Sequence, residues 1–294
     1  MKTINLYTLW LFCALCVTSC EKTVMDSAEA TDASTDNVTL SFTPSTADIT
    51  TRGSVTVGDY FSKLNVQLFD ADGLKVFDKV KTQLRTDDGF GTLSLSLAPG
   101  TYTVVAVGHS SIKSATIKSQ EMVQFAASDG EKLTDTFCYC GTVTVGDTGG
   151  KFSLTMNRVA AMLQLKLTDD DIPESFSRLK IDYTGGSANF NPSTSQGCTK
   201  SSQTENRAMN EAGIYQAFTF PYMATTCSLK GTISALTDDG AVIRQRTFQD
   251  VPMTRNRITT YRGPFFSEGD GNITQSDFGF VVNADWESEE VFEF

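Results

Sequence analysis

An all-β fold of tandem sandwiches is the fold class that the sequence predicts, and three observations carry it. After about residue 37 the chain is a succession of short runs in which apolar and polar residues alternate, the period of a half-buried strand. Turn signals interrupt these runs roughly every 8 to 12 residues, a spacing that favours sandwiches over a parallel sheet. Helical periodicity is scarce: only the stretch after Ile112 and "PESFS" (173–177) offer a turn or two.

The elements follow in order. "NVTLSF" (37–42) places Val38, Leu40 and Phe42 on one face of a first strand. "KLNVQLFD" (63–70) alternates Leu64, Val66 and Leu68, and Asp72-Gly73 announces a hairpin to "LKVFDKV" (74–80). In "GTLSLSLAPGTYTVVAVGH" (91–109), Leu93, Leu95 and Leu97 share one face. Pro99-Gly100 then turns the chain into Tyr102, Val104 and Ala106, which predicts a second hairpin. Strands are expected at 142–146, 151–157 and 159–168, and a seam between two modules near 157–161. The second half repeats the pattern in "RLKIDYTG" (178–185), "QAFTFPYMA" (216–224), a long pair joined at Asp239-Gly240, "RITTYRGPFF" (257–266) and "FGFVVNADWE" (278–287). With 20 Phe and 8 Tyr there is material for two cores. The expected organisation is a signal over 1–19, a tether over 20–37, and sandwiches over 38–158 and 159–294.

The amino end sets the compartment. Ile4 to Val17 holds no charge and follows Lys2, as in a secretory signal, and is too short to span a bilayer. Val17-Thr18-Ser19-Cys20 resembles the bacterial lipobox, with Val17 and Ser19 as variants of its usual Leu and Ala or Gly, so Cys20 is expected to carry lipid. Glu21 to Asn37 has a single Val and a single Met, too little apolar side chain to offset its ordering entropy, and is expected as a disordered tether.

Composition excludes several classes. The formal charge is -11, and loss of Lys2 with the signal leaves -12, which argues against nucleic acid as a partner. Of seven cysteines, Cys13 and Cys16 fall in the signal and Cys20 in the lipobox. Cys138 and Cys140 share one strand face in a geometry that does not suit a bond between them. Cys198 and Cys227 are candidates for a disulfide in an oxidising compartment. With one histidine, His109, expected at a strand rim, zinc is not supported, and no metal or cofactor is expected. The acidic runs at 86–88, 169–171 and 237–239 lack the alternating oxygen ligands of a calcium loop and read as solvated turns. No serine-hydrolase elbow, phosphate loop, dinucleotide fingerprint or His-Glu-x-x-His is present, so an enzyme is not expected. Trp286 is the one tryptophan beyond the signal, which leaves a sugar-stacking platform little beyond tyrosine.

Taken in order, the lipobox and polar tether, "SKLNVQLFDADGLKVF", "LSLAPGTYTVVAVG", "NRVAAMLQLKLTDDDIP", "VPMTRNRITTYRGPFF" and "VNADWE" resemble the fimbrillin family, the subunits and anchors of type V pili in Bacteroidales. The resemblance runs from about residue 20 to the carboxyl end and is nearest to the anchor or accessory class. It implies two tandem transthyretin-like Greek-key sandwiches, export to the outer membrane as a surface-exposed lipoprotein of the fimbrium, and assembly by strand exchange. Other fimbrial subunits are the implied partners, with surface receptors on host or bacterium. In the family's stalk subunits a protease removes the first strand after an arginine. Here the matching place is Arg52-Gly53 in "DITTRGSV", and a cut there would release the strand of Val38, Leu40 and Phe42 together with the lipid. For an anchor, Arg52 is instead an uncut loop residue. The tail with Val291, Phe292 and Phe294 is either a donor to a neighbour's groove or the closing strand of its own module. A surface glycan-binding lipoprotein of a polysaccharide uptake system is the alternative, and an exposed aromatic platform would mark it.

Overall fold

The computed structural model describes residues 36–45, 56–127, 131–209 and 213–267, together with the backbone of 281–282. Apart from a 3-10 turn at Val57–Asp59, its elements are strands. In chain order they are β1 (Val38–Pro44), β2 (Lys63–Phe69), β3 (Lys81–Leu84), β4 (Thr92–Leu95), β5 (Gly100–His109), β6 (Thr116–Ser119), β7 (Met122–Gln124), β8 (Thr136–Val145), β9 (Gly150–Arg158) and β10 (Ala161–Leu167). They continue as β11 (Arg178–Thr184), β12 (Gly186–Ser187), β13 (Asn189–Asn191), β14 (Gln196–Gly197), β15 (Gln203–Arg207), β16 (Tyr215–Pro221), β17 (Thr226–Leu236), β18 (Val242–Thr254), β19 (Ile258–Gly263) and β20 (Val281–Val282). The chain is all-β, as its alternation predicts. Among the described residues no helix is long and apolar enough to cross a membrane.

Seven strands form one curled sheet in the order β3-β2-β5-β8-β9-β1-β4. Inside the curl lies a core to which β1 brings Val38, Leu40 and Phe42, β2 brings Leu64, Val66 and Leu68, and β5 brings Val104 and Ala106. The two ends of the sheet meet through a side chain. The Gln83 amide of β3 accepts from Gly91 N–H at 3.2 Å and donates to Thr92 O at 2.7 Å, as a strand's backbone would. The curl is thereby partly closed into a barrel.

β5 is buried on both faces, which explains its unbroken "VVAV". Its second face, Val105 and Val107, packs in a middle core with Ile117, Val123, Phe190, Met162, Phe218, Phe220 and Ile258. That core draws on both sides of the expected seam at 158/159. So does the small sheet β14-β13-β7-β6, in which Phe190 pairs with Val123. Beyond it, sheet β12-β16-β10-β19-β20 and sheet β15-β11-β17-β18 enclose a third core around Leu163, Ile181, Tyr183, Ile233, Phe248 and Tyr261.

Two expected hairpins are corrected. The Asp72-Gly73 turn forms, with Asp70 Oδ1 accepting from the N–H of residues 72 and 74 and Gly73 at φ 76°. The ladder it starts ends at the Phe69–Lys75 bridge and the Val76 N–H bond to Leu68 O. The partner of β2 is β3 at 81–84, because the Gln67 side chain takes Phe77 O at 2.6 Å and holds the intervening segment out of the ladder. The segments on either side of Pro99-Gly100 are strands, as expected, but not partners. β4 pairs with β1 and β5 pairs with β2 and β8, so the turn carries the chain across the core between the two sides of the curl. Alternation places residues on faces. It does not say which strand lies alongside.

Candidate functional site

β1 is seated between two strands distant in sequence. It runs parallel to β9 from Val38–Gly150 to Pro44–Met156, and antiparallel to β4 from Val38–Leu95 to Ser41–Thr92. Its inward side chains Val38, Leu40 and Phe42 are 1%, 0% and 2% exposed, and Pro44 is also buried. Burying three such side chains contributes roughly 5–8 kcal/mol of hydrophobic stabilisation. Pro44 has no N–H to give, but it lies past the end of the β4 ladder, where one neighbouring strand remains.

The ends of the strand are pinned. Ser45 N–H donates to Met156 O at 2.7 Å. At the other end, Asn37 N–H donates to Leu95 O and Asn37 O accepts from Gly150 N–H, both at 3.0 Å. The Asn37 side chain does more: Nδ2 donates to Leu97 O at 2.9 Å and Oδ1 accepts from Leu97 N–H at 2.9 Å. It thus supplies a rung of main-chain-like bonds just past the end of β4. Gly149 makes room for this seating. A Cβ on it would lie 1.9 Å from Asn37 O, and its φ of 81° disfavours any other residue. Sequence reasoning placed Asn37 at the end of the tether and passed over Leu97, Gly149 and Pro44 as parts of the site. The usable signal was an amide residue immediately ahead of an alternating run.

The other expected site residues fall as follows. Cys20, Arg52, Gly53, Val291, Phe292, Phe294 and Trp286 lie outside the described residues. Cys198 and Cys227, the candidate pair for a bridge, are free thiols, as are Cys138 and Cys140. His109 ends β5, but it is fully buried and not at a rim. Its Nδ1 accepts from Ser111 N–H at 3.1 Å, so Nε2 carries the proton and donates to Asn65 Oδ1 at 2.8 Å, while Asn65 Nδ2 donates to Thr82 Oγ1. Burial, and then the nearby Lys63 charge, lower its pKa from 6.5 to about 3. The ring is a neutral core group.

The acidic runs are local caps. Asp169 accepts from the backbone N–H of Phe265, Phe266 and Ser267 at 2.6, 2.6 and 2.9 Å, tying the end of β10 to the segment after β19. Partial burial pushes its carboxyl up, but these bonds outweigh it and hold the pKa below the usual value. Asp87 accepts from Leu84 N–H, and Asp239 takes the Thr237 hydroxyl in the turn between β17 and β18. Among the described residues no group of His, Cys, Asp or Glu could hold a metal ion.

The surface of the described residues also carries a trough and a hollow. A shallow trough of about 690 Å³ on sheet β15-β11-β17-β18 is lined by polar side chains including Asp182, Thr204, Lys230 and Thr247, and its two rings, Tyr183 and Phe248, are buried. A smaller hollow of about 180 Å³ lies between Ser110, Asp135, Arg207 and Gln216, beside a buried charge cluster. In that cluster Arg207 donates to Leu133 O at 2.5 Å and to Glu205 at 3.0 Å, and Arg158 pairs with Asp135 at 2.9 Å and reaches Asn256 Oδ1. Burial raises the pKa of both Glu205 and Asp135 against the pull of their arginines.

Residues 30–292 match a family described as a family of unknown function, DUF6562. No curated protein matches the sequence. Among solved structures the chain is similar to a "putative adhesin" from Bacteroides thetaiotaomicron at 14% identity, over 71% of this chain and 78% of that one, with a TM-score of 0.45. It is similar to "putative polysaccharide binding proteins" from the same organism at 10% identity, over 79% and 92%, with a TM-score of 0.46. The fimbrial anchor protein Mfa2 from Porphyromonas gingivalis aligns at 14% identity over 76% and 89%, with a TM-score of 0.40.

Proposed function

This chain belongs to the DUF6562 family, and from that premise we propose that it is a lipid-anchored fimbrial subunit of the outer membrane, an anchor or accessory piece that joins the pilus by β-strand complementation. In this reading its two halves are modified transthyretin-like sandwiches, Cys20 bears the lipid, and Arg52-Gly53 stays uncut. The observation that carries the proposal is the seating of β1. An inner strand, joined to its neighbours only through long stretches of chain, fills a groove whose removal would expose an apolar trench and two rows of unpaired backbone groups. Such a trench is what a partner's strand fills in β-augmentation. The lipobox resemblance of Val17 to Cys20 and the ordered phrases shared with fimbrillins supply the rest.

The glycan-binding alternative draws on the polar trough, but the rings there are buried beneath the sheet and offer no stacking face. Amino-terminal sequencing and mass analysis of the protein from surface fractions test the proposal. An acylated Cys20 terminus is expected, with fatty-acid labelling and membrane partitioning both lost in Cys20→Ala. A Gly53 terminus would make the chain a polymerising stalk subunit instead. A terminus at neither position, or unchanged labelling in Cys20→Ala, overturns the proposal.

A further inference from the structure

The β1 slot has to distinguish one register from another, and a strand displaced by two would still offer apolar side chains to its pockets, though of other sizes. A strand that slides by two residues keeps every side chain on its own face. In β1 such a slip would replace Val38, Leu40 and Phe42 with another set of alternating apolar residues, since Leu40, Phe42 and Pro44 alternate in the same way. The backbone ladders to β9 and β4 read sequence at one place: Pro44, moved to position 42, would leave Gly91 O without the N–H that Phe42 gives it at 2.8 Å. At the other end of the strand the register is read by the Asn37 side chain, which satisfies both Leu97 N–H and Leu97 O, each at 2.9 Å. The residues two places away on either side, Thr35 and Thr39, are threonines. A hydroxyl on a side chain one atom shorter cannot span both polar groups of Leu97 at once.

We infer that Asn37 is a specificity-determining residue of the slot: a complementing strand from another copy of this chain, seated there, carries asparagine one residue ahead of three alternating apolar side chains and runs parallel to β9. The inference rests on the complementation reading above and adds to it the chemistry of the strand that the slot accepts. Gly149 is the matching feature on the receiving side, because its missing Cβ lets the backbone oxygen at position 37 reach Gly150 N–H.

The test uses the full chain with a specific protease site inserted between residues 46 and 55. The cut protein is unfolded and refolded with excess synthetic peptide covering residues 36–45. Three peptides are compared: the native sequence, Asn37→Ala, and a swapped sequence combining Asn37→Thr with Thr39→Asn. Each also carries Pro44→Val, so that no proline meets Gly91 O after a slip, and Thr43→Cys, and the chain carries Thr155→Cys or Ser153→Cys, because residue 43 pairs with residue 155 and residue 41 with residue 153. The native peptide is expected to be retained and to cross-link to position 155. Asn37→Ala is expected to bind roughly ten- to a hundredfold more weakly, as two backbone groups lose their partner. The swapped peptide is expected to slide by two and cross-link to position 153. Equal retention of all three peptides, with cross-linking to 155 throughout, overturns the role of Asn37 and leaves complementation standing. Retention of none overturns complementation and this inference with it.

Discussion

Single side chains in this molecule stand in for main chain or are held in one protonation state by it. Asn37 and Gln83 each offer an amide that accepts and donates as a peptide unit does, at the two places where the seven-stranded sheet would otherwise leave groups at the ends of β4 unmatched. His109 is the counterpart among ionisable groups. Both ring nitrogens are engaged in the neutral form, so a proton on Nδ1 would confront Ser111 N–H. Because the folded pKa is lowered from 6.5 to about 3, the unfolded chain takes up a proton that the folded chain refuses. The stability that neutral His109 confers is complete above pH 6.5 and is lost as the pH falls towards 3. The slope approaches about 1.4 kcal/mol per pH unit, or roughly 2 kcal/mol between pH 6.5 and 5, ahead of most carboxylates. Urea unfolding at pH 7, 6 and 5 checks this: the wild type is expected to weaken across that window and His109→Gln to stay level. Parallel curves would mean that the ring takes up a proton as readily in the fold as in the unfolded chain.

Strands are where sequence was most and least informative. The boundaries of β2 and β11 follow directly from alternation, and the β17–β18 turn from Asp239-Gly240, because both signals are local, whereas β19 stops at Gly263, three residues short of the expected end. The partners of β1 and β4 were not legible, since they are set by cores assembled from distant segments. The expected pairing across Pro99-Gly100 failed for that reason. Asn37 was counted with the tether because a polar residue ahead of a strand looks the same whether it faces water or Leu97. The seating of β1 nevertheless makes a quantitative expectation. Leu40→Ala removes a fully buried side chain from the curled sheet's core and is expected to cost about 2–5 kcal/mol. Gly149→Ala forces a side chain onto both a left-handed backbone and the Asn37 carbonyl, and is expected to destabilise by a similar amount. Chemical denaturation of both variants, with hydrogen exchange on residues 38–44, separates the two. Leu40→Ala should loosen the whole core, and Gly149→Ala chiefly the start of β1. Full protection of 38–44 in Gly149→Ala would show that the slot tolerates a Cβ there.

At the largest scale, three cores follow one another among the described residues, and the middle one is shared by the halves on either side of residues 158 and 159. Charge reinforces the joint: Arg207, 4% exposed on β15, binds Leu133 O and Glu131 from the first half and Glu205 from its own strand. Removing one member of such a set leaves the other charge buried and unpaired, so Arg207→Met is expected to destabilise by roughly 3–5 kcal/mol. Adding Glu205→Leu is expected to restore much of it. Guanidinium unfolding of the single and double variants measures the difference, and equal losses in both would show that the pair does not act as a unit. The Gln83 latch has a further consequence for the border of the sheet. By occupying Gly91 N–H and Thr92 O, it blocks the rim at which a stray extended segment would dock. An extended segment arriving at this border finds those two groups already satisfied, so edge-to-edge association of sheets is disfavoured at that place.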